Sequence, residues 1–131
     1  MNIMEFFESV KNKTKNTIGI DFDGVIHRYS KEFLDGTLYD VPSDGTEEAL
    51  KYLFDKKYNL IIFTCRADPD RPLVNGKTGT ELIWDWLKKY KLDEYISKVT
   101  YVKPRALFYI DDKGIRFESW KQTLEFLKGR I

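Results

Sequence analysis

Residues 17–24, Thr-Ile-Gly-Ile-Asp-Phe-Asp-Gly, limit the possible folds of this chain more than any other segment. An apolar run that ends in acidic residues and a glycine predicts a buried parallel strand that stops at a functional site. Asp21 and Asp23 lie two residues apart, so on an extended backbone their side chains point to the same side. Buried carboxylates are costly unless a cation or a hydrogen-bond donor compensates them. Gly24 permits a sharp turn, and we expect its N–H group to be open to a ligand.

A second apolar run, at residues 106–110, also ends in an acidic pair, Asp111 and Asp112. Ligands of open α/β sheets bind beyond the carboxyl ends of the strands. If both strands belong to one parallel sheet, all four carboxylates meet at one edge. Oxygen ligands of this kind favour a hard divalent cation, and Mg²⁺ is the cation that we expect.

Polar residues follow the predicted strands in a fixed order along the chain. The order is Asp21-Phe22-Asp23-Gly24, then Thr64 after the apolar run 60–64, then Lys103 before a proline, and finally Asp111-Asp112. This order resembles the four motifs of the haloacid dehalogenase-like (HAD) hydrolases. The segments 65–68 and 109–113 are similar to a small capless branch of that superfamily, of bacterial and phage type.

The resemblance implies a phosphatase that works through an aspartyl-phosphate intermediate. Asp21 would be the nucleophile, and Asp23 would be the general acid and base, which requires a raised pKa. Lys103 would neutralise Asp21 and the phosphate, with Lys113 as its rival for that role. The Mg²⁺ ligands would be Asp21, the main-chain carbonyl of Asp23, Asp111 and, directly or through water, Asp112. Thr64 and the backbone N–H groups around Gly24 and Cys65 would hold the phosphoryl oxygens.

The expected fold is α/β, a Rossmann-like three-layer sandwich with a mainly parallel sheet in one HAD-like domain that spans residues 1–131. The family fold implies that the first strand is central, between the second and the fourth. Residues 25–44 are too few for a large cap, so we predict a flap over the site. A second loop, residues 66–79, follows a site strand, and its Arg66, Arg71 and Lys77 are candidates to contact the substrate.

Apolar spacing predicts the remaining elements. We predict helices over residues 2–10 and 78–90, with a loop at 11–16, and a helix that begins near residues 43–47 with Ser43, Asp44 or Thr46 as its cap. Strands are expected within residues 96–102 and at 107–110, and a short fifth strand at 115–117. A last helix, capped by Ser119, is expected to turn Trp120, Leu124 and Leu127 inward.

Composition narrows the function classes. The 131 residues suit one domain, and a net charge of +1 gives no overall field for nucleic acid or membranes. Cys65 is the single cysteine, which excludes an intramolecular disulfide and fits a reducing cytoplasm. We see neither a signal peptide nor a segment that could span a bilayer. The oligomeric state is not readable from the sequence, and a dimer is possible.

Several alternatives stay open at this point. The substrate is expected to be a nucleotide or a small phosphometabolite, and a nucleic-acid 3′ end is the second choice. A non-catalytic phosphate-binding regulator is the rival class, although in receiver domains the acidic pair comes first. We interpret His27 as a packed or exposed histidine rather than a proton shuttle, and Cys65 as an inert thiol rather than the nucleophile of a cysteine phosphatase.

Overall fold

The computed structural model describes the backbone of residues 1–131 and every side chain except that of Lys13. Its centre is a four-stranded, all-parallel sheet with the strand order β3-β2-β1-β4. The α/β class, the parallel sheet and the central place of the first strand are therefore confirmed. The strands are β1 (Thr17–Ile20), β2 (Asn59–Phe63), β3 (Lys98–Thr100) and β4 (Phe108–Ile110).

The register of the sheet brings two chain segments to the same edge. Ile20 of β1 is level with Ile62 of β2 and with Ile110 of β4. The next N–H group, that of Asp21, donates to the carbonyl of Ile110 over 2.9 Å. Because the strands are parallel, the residues that follow β1 and β4 emerge side by side.

Helices flank this sheet, and α2 and α3 contact β2 and β3, respectively. The predicted helix 78–90 is confirmed as α3, which begins after a capping box formed by Thr78 and Glu81. The helices are α1 (Ile3–Asn16), α2 (Thr46–Asp55), α3 (Gly79–Lys89) and α4 (Trp120–Lys128), and short 3₁₀ turns lie at Cys65–Ala67 and Asp93–Tyr95.

Two helix boundaries differ from the sequence prediction. Helix α1 continues to Asn16, so the loop predicted at residues 11–16 is wrong. Its start is fixed by a capping box between Asn2 and Glu5, and residues 11–16 contain neither glycine nor proline to stop it. Helix α2 begins after Gly45, which has a φ of 82° and makes no side-chain cap, so the predicted caps are also wrong.

The core lies between the sheet and the two middle helices. Phe22, Ile62, Ile83 and Leu87 have no exposed surface, and Trp86 is 5% exposed. Burying a side chain of this size stabilises a fold by about 1.5–3 kcal/mol. Trp86 is therefore part of the core. This core fixes β1 and β2, and with them the start of the candidate site.

The part of the chain after residue 100 is packed less closely. In β4, Phe108, Tyr109 and Ile110 remain 40 to 56% exposed. Residues 115–117 form no strand in the described backbone, so the fifth strand is wrong. Helix α4 and its Ser119 cap are confirmed. Its Trp120, however, is 68% exposed, and Leu124 is 45% exposed, which contradicts the predicted inward face.

Residues 25–44, predicted to be a flap, contain no helix or strand in the described backbone. Two backbone hydrogen bonds hold the ends of this segment together: the N–H of Arg28 donates to the carbonyl of Val41, and the N–H of Ser43 donates to the carbonyl of Ile26. Only an isolated bridge between His27 and Pro42 resembles the hairpin that the sequence suggested. Of the described helices, none is long and apolar enough to cross a membrane.

Candidate metal centre and active site

Three carboxylates meet at the carboxyl edge of the sheet. Asp21 follows β1, Asp111 and Asp112 follow β4, and one ligand oxygen from each lies within 4.8 Å of the others. A turn orients Asp111, whose Oδ1 accepts hydrogen bonds from the N–H groups of Lys113 (2.7 Å) and Gly114 (3.1 Å). An oxygen cluster of this kind could hold a hard divalent cation. The structure thus brings together three of the four predicted carboxylates.

The environment of Asp21 leaves its negative charge poorly compensated. Burial, together with the charges of Asp111, Asp112 and Asp23, raises the pKa of Asp21 to about 6. The Phe22 N–H donates to Asp21 Oδ1 over 2.8 Å and partly opposes this rise. A bound cation would favour the ionised carboxylate, so the donor set fits a divalent metal.

Gly24 allows the turn after β1 to lie close to Asp112, which follows β4. Its φ is +83°, and a Cβ at this position would lie 2.3 Å from Oδ2 of Asp112. A side chain here would therefore displace Asp112. The N–H of Gly24 donates to the carbonyl of His27 over 2.8 Å, so the expectation that it is open to a ligand is wrong. The turn after β1 uses this group to close itself.

Asp23 points to different partners from those of Asp21. Its Oδ1 is 2.9 Å from Nδ1 of His27, and its Oδ2 accepts a hydrogen bond from Nε of Arg66 over 2.6 Å. Burial would raise the pKa of Asp23, but the two hydrogen bonds outweigh burial and lower it from its ordinary value. The raised pKa that we expected is therefore wrong. Strand β1 ends at Ile20, and the turn that follows separates the two side chains.

His27, near the start of the flap, and Arg66 are both buried, and both contact the later flap residues 36–40. His27 has no exposed surface, and its Nε2 accepts the N–H of Asp40 over 3.1 Å. Its interpretation as a packed histidine is confirmed. Arg66 is 6% exposed, and its Nη1 donates to the carbonyl of Gly36 over 3.0 Å. The substrate-contact role of Arg66 stays a prediction, because in this structure the guanidinium is bound within the protein.

No direct signal for this arrangement is present in the sequence. His27 and Arg66 lie far apart in the chain, and no spacing rule connects them to Asp23. The one available hint was the position of Arg66, two residues after the end of the predicted strand at 60–64, where a charged side chain needs a partner.

Thr64 directly follows β2 and is 6% exposed. Its Oγ1 accepts the N–H of Arg66 over 3.3 Å, and its own N–H donates to Thr100 over 2.9 Å. The side chain thus caps the short 3₁₀ turn that follows it. Its predicted contact with a phosphoryl oxygen stays a prediction.

Lys103 lies beside β4 rather than in the acidic cluster. Its Nζ is 4.2 Å from the centroid of the Tyr109 ring, a cation–π contact. Among the described side chains, neither Lys103 nor Lys113 makes an ion pair with Asp21. The neutralising role of Lys103, and its rivalry with Lys113, stay predictions.

Cys65 and Arg71 have the Cys-x₅-Arg spacing of cysteine phosphatases, which our interpretation of Cys65 overlooked. Nη1 of Arg71 lies 3.4 Å from Sγ of Cys65. A phosphate loop must direct its N–H groups at the anion. Here those N–H groups donate to other groups of the same segment. The N–H groups of residues 66 and 67 donate to oxygens of Thr64, and that of residue 68 donates to the carbonyl of Cys65. The N–H groups of residues 70 and 71 donate to oxygens of Asp68. The loop therefore has no anion cradle.

Comparison with protein-family models, with curated proteins and with solved structures gave no match. The assignment of a function therefore depends on the residues and their arrangement.

Proposed function

We propose that this chain is a HAD-like, Mg²⁺-dependent phosphatase that hydrolyses a phosphate monoester through an aspartyl-phosphate intermediate. The observation that supports it best is the convergence of Asp21, Asp111 and Asp112 within 4.8 Å at the carboxyl edge of a parallel sheet. Helix caps or unrelated surface acids do not account for two acidic pairs that follow paired, parallel strands. The order of the motifs along the chain supports the same proposal.

Asp21, Asp111 and Asp112 would hold the metal, with the main-chain carbonyl of Asp23 as a further ligand. When bound, Mg²⁺ would reduce the repulsion between an anionic nucleophile and an anionic phosphoryl group. Among the described residues, the N–H groups of Asp23 and Cys65 donate to no other group. They are therefore candidate donors to the phosphoryl oxygens, beside Thr64.

Asp21 would attack phosphorus, because its Oδ2 accepts no hydrogen bond from the described residues while its Oδ1 is held by Phe22. A bond forms between the carboxylate oxygen and phosphorus, and the bond from phosphorus to the leaving oxygen breaks. Water then attacks the aspartyl-phosphate, the bond from phosphorus to Asp21 breaks, and inorganic phosphate leaves. Two easier steps replace one difficult step.

Asp23 would act as a base in the second step of this scheme. Two hydrogen bonds keep it ionised, so it could accept the proton of the attacking water. Its acid role, protonation of the leaving oxygen, needs a proton that these hydrogen bonds disfavour. Substrates whose leaving group is stable as an anion should therefore react fastest.

A second candidate is a non-catalytic phosphate-binding module. The observation that favours it is that both oxygens of Asp23 are already bound, by His27 and Arg66. A protein of this class would bind an anion at the same edge without turnover. A polynucleotide 3′-phosphatase differs from our first proposal only in substrate.

Hydrolysis of p-nitrophenyl phosphate separates these candidates. We expect turnover with Mg²⁺, its loss in EDTA and its return when Mg²⁺ is added. Asp21→Asn should reduce turnover by about a thousandfold or more while the circular dichroism spectrum is unchanged. Asp93→Asn, in the 3₁₀ turn before β3, is the matched control and should keep full activity.

Two results would contradict the proposal in different ways. Full activity in Asp21→Asn would reject the nucleophile. Absence of turnover by the unmodified protein on any phosphate ester, with anion binding retained, would favour the binding module. Comparison of nucleoside monophosphates, sugar phosphates and a 3′-phosphorylated oligonucleotide then ranks the substrate classes.

A further inference from the structure

We propose that His27 and Arg66 are positioning residues that hold the Asp23 carboxylate and connect it to the backbone of the flap. We name Asp23, His27 and Arg66 the Asp23 clamp. Its kinetic consequences rest on the proposed phosphatase function, whereas its geometry does not. Each oxygen of Asp23 contacts one clamp side chain, and each of those side chains contacts one main-chain group of the flap.

The hydrogen bonds of His27 select one tautomer of its ring. The N–H of Asp40 can donate only to an unprotonated nitrogen, and it donates to Nε2 over 3.1 Å. The ring proton of neutral His27 must then be on Nδ1, from which it donates to Asp23 Oδ1 over 2.9 Å. The ring has no exposed surface, so water does not compete for either nitrogen.

Aromatic rings surround His27 and keep this orientation. The Phe22 ring is stacked against it at 5.4 Å, and the Trp86 ring meets it edge-on at 5.6 Å. Tyr39 of the flap contacts a further edge at 5.4 Å. Rotation of the imidazole by a half-turn would therefore break both hydrogen bonds without a compensating partner.

Arg66 forms the second connection. Its Nε donates to Asp23 Oδ2 over 2.6 Å, and its Nη1 donates to the carbonyl of Gly36 over 3.0 Å. The guanidinium also lies 5.6 Å from the centroid of the Tyr29 ring, in the flap. A buried arginine needs these partners, because an unpaired buried charge is costly. The fixed fork of arginine can serve both groups at once, which a lysine cannot.

The flap therefore takes part in holding Asp23. Asp40 and Gly36 are its two contact points, and Asp40 is anchored further because Trp86 Nε1 donates to its carbonyl over 2.9 Å. His27 itself lies near the start of the flap, so the part that matters here is residues 36–40: if these residues move away, His27 and Arg66 each lose one partner. We infer that residues 36–40 of the flap fix the two side chains that orient Asp23.

The tautomer can be measured directly, because His27 is the single histidine of the chain. A long-range ¹H–¹⁵N spectrum of the ¹⁵N-labelled protein without a histidine tag gives one imidazole pattern. We expect a protonated Nδ1 and an unprotonated Nε2 at pH 7. A protonated Nε2, or an averaged pattern, would overturn the proposal even if the protein has no phosphatase activity.

Two substitutions separate the two hydrogen bonds of His27. In His27→Asn, the amide occupies the place of Nδ1 and can still donate to Asp23, but the acceptor for Asp40 is lost. In His27→Gln, an oxygen can replace Nε2 as the acceptor, but the donor to Asp23 is lost. Hydrogen exchange at the Asp40 amide should therefore accelerate at least about tenfold in the Asn variant and change little in the Gln variant.

For kcat, the two variants should rank in the opposite order, with the larger effect in His27→Gln. Loss of a hydrogen bond to a charged group corresponds to about a tenfold to hundredfold effect. We expect kcat with p-nitrophenyl phosphate to fall by this factor in His27→Gln with little change in KM. In His27→Asn, kcat should stay within about threefold and KM should rise.

A purely structural role for His27 would produce equal losses of kcat in both variants, in proportion to their stability, and that result would overturn the proposal. If the unmodified protein shows no turnover, the phosphatase function fails, while the imidazole spectrum and the Asp40 exchange still decide the clamp. If either variant does not fold, the spectrum of the unmodified protein decides it.

Discussion

The acidic pair after β1 and the acidic pair after β4 share a sequence pattern but have different surroundings. Between Asp21 and Asp23, Phe22 is fully buried, and the clamp holds Asp23 at both oxygens. Asp111 and Asp112 follow a strand whose residues are 40 to 56% exposed, and a surface turn orients Asp111. One half of the candidate site is thus fixed by the core, and the other half by backbone hydrogen bonds.

This difference suggests how the site would divide its work. In the proposed mechanism, the buried half would supply the nucleophile and the base, whose positions must be accurate to a fraction of an ångström. The exposed half would supply two metal ligands, which a bound cation could itself draw into place. The experiments below test this division, from the largest expected effect to the smallest.

Removal of the carboxylate from the buried pair should cost the most stability. Asp23→Ala leaves Arg66 buried without its charged partner, so we expect the free energy of unfolding to fall by about 3 kcal/mol. Asp111→Ala, on the exposed side, should cost less than about 1 kcal/mol in the absence of metal. Urea unfolding in EDTA measures both values, and equal losses would contradict the comparison.

Mg²⁺ should reduce the difference in local stability between the two halves of the site. Binding that connects Asp21 to Asp111 stabilises the folded state by about 2.7 kcal/mol at a Mg²⁺ concentration one hundred times the Kd. The protection should extend to the exposed strand, so hydrogen exchange at β4 amides such as Tyr109 should slow when Mg²⁺ is added. Asp111→Ala should abolish that slowing. Unchanged exchange at saturating Mg²⁺ would argue against a shared ion.

Asp21 should lower stability at neutral pH when no metal is bound. Its folded pKa, about 6, lies above the ordinary value of 3.8, so ionisation between these values disfavours the folded state. Stability should therefore rise as the pH falls from 7 to 4. We expect Asp21→Asn to raise the free energy of unfolding by about 1–2 kcal/mol at pH 7, a value reduced for partial exposure.

The pH dependence provides the control for this prediction. The gain from Asp21→Asn should vanish near pH 4, where the aspartate is protonated in the folded state. A constant gain across the range would indicate a cause other than ionisation. A loss of stability at pH 7 would contradict the raised pKa.

Gly24→Ala should lower the free energy of unfolding by about 1–2 kcal/mol, because the left-handed backbone conformation here disfavours a side chain. The added methyl group would displace Asp112, so we also expect weaker Mg²⁺ binding, measured by calorimetry. Gly45→Ala also introduces a side chain at positive φ, but nothing lies within 4 Å of a Cβ there, so it controls for the backbone effect alone.

Much of the sheet could be predicted from the sequence, because buried parallel strands are continuous apolar runs. Residues 17–20 and 59–63 follow this pattern, and the order of the strands agreed with the expected central place of β1. Predictions failed where a polar segment continued a helix, as at 11–16, and where apolar side chains stayed exposed, as at Trp120. Local spacing does not determine which element covers a given face.

The candidate site was predictable in part for a related reason. Asp21 and Asp111 come together because backbone pairing of β1 with β4 forces it. The pKa of Asp23 depends instead on side chains from two loops, and no periodicity connects a residue at 23 with one at 66. The direction of a pKa shift follows from three-dimensional partners, which strand patterns do not contain.

The pairing of β1 with β4 also has a consequence for protein synthesis. On the ribosome, Asp21 is added early, whereas Asp111 and Asp112 are added only after β2, β3 and three of the helices. A nascent chain would thus present Asp21, the proposed nucleophile, without Asp111 and Asp112 for most of its translation. Catalytic competence would arise in one late step, when the last strand docks.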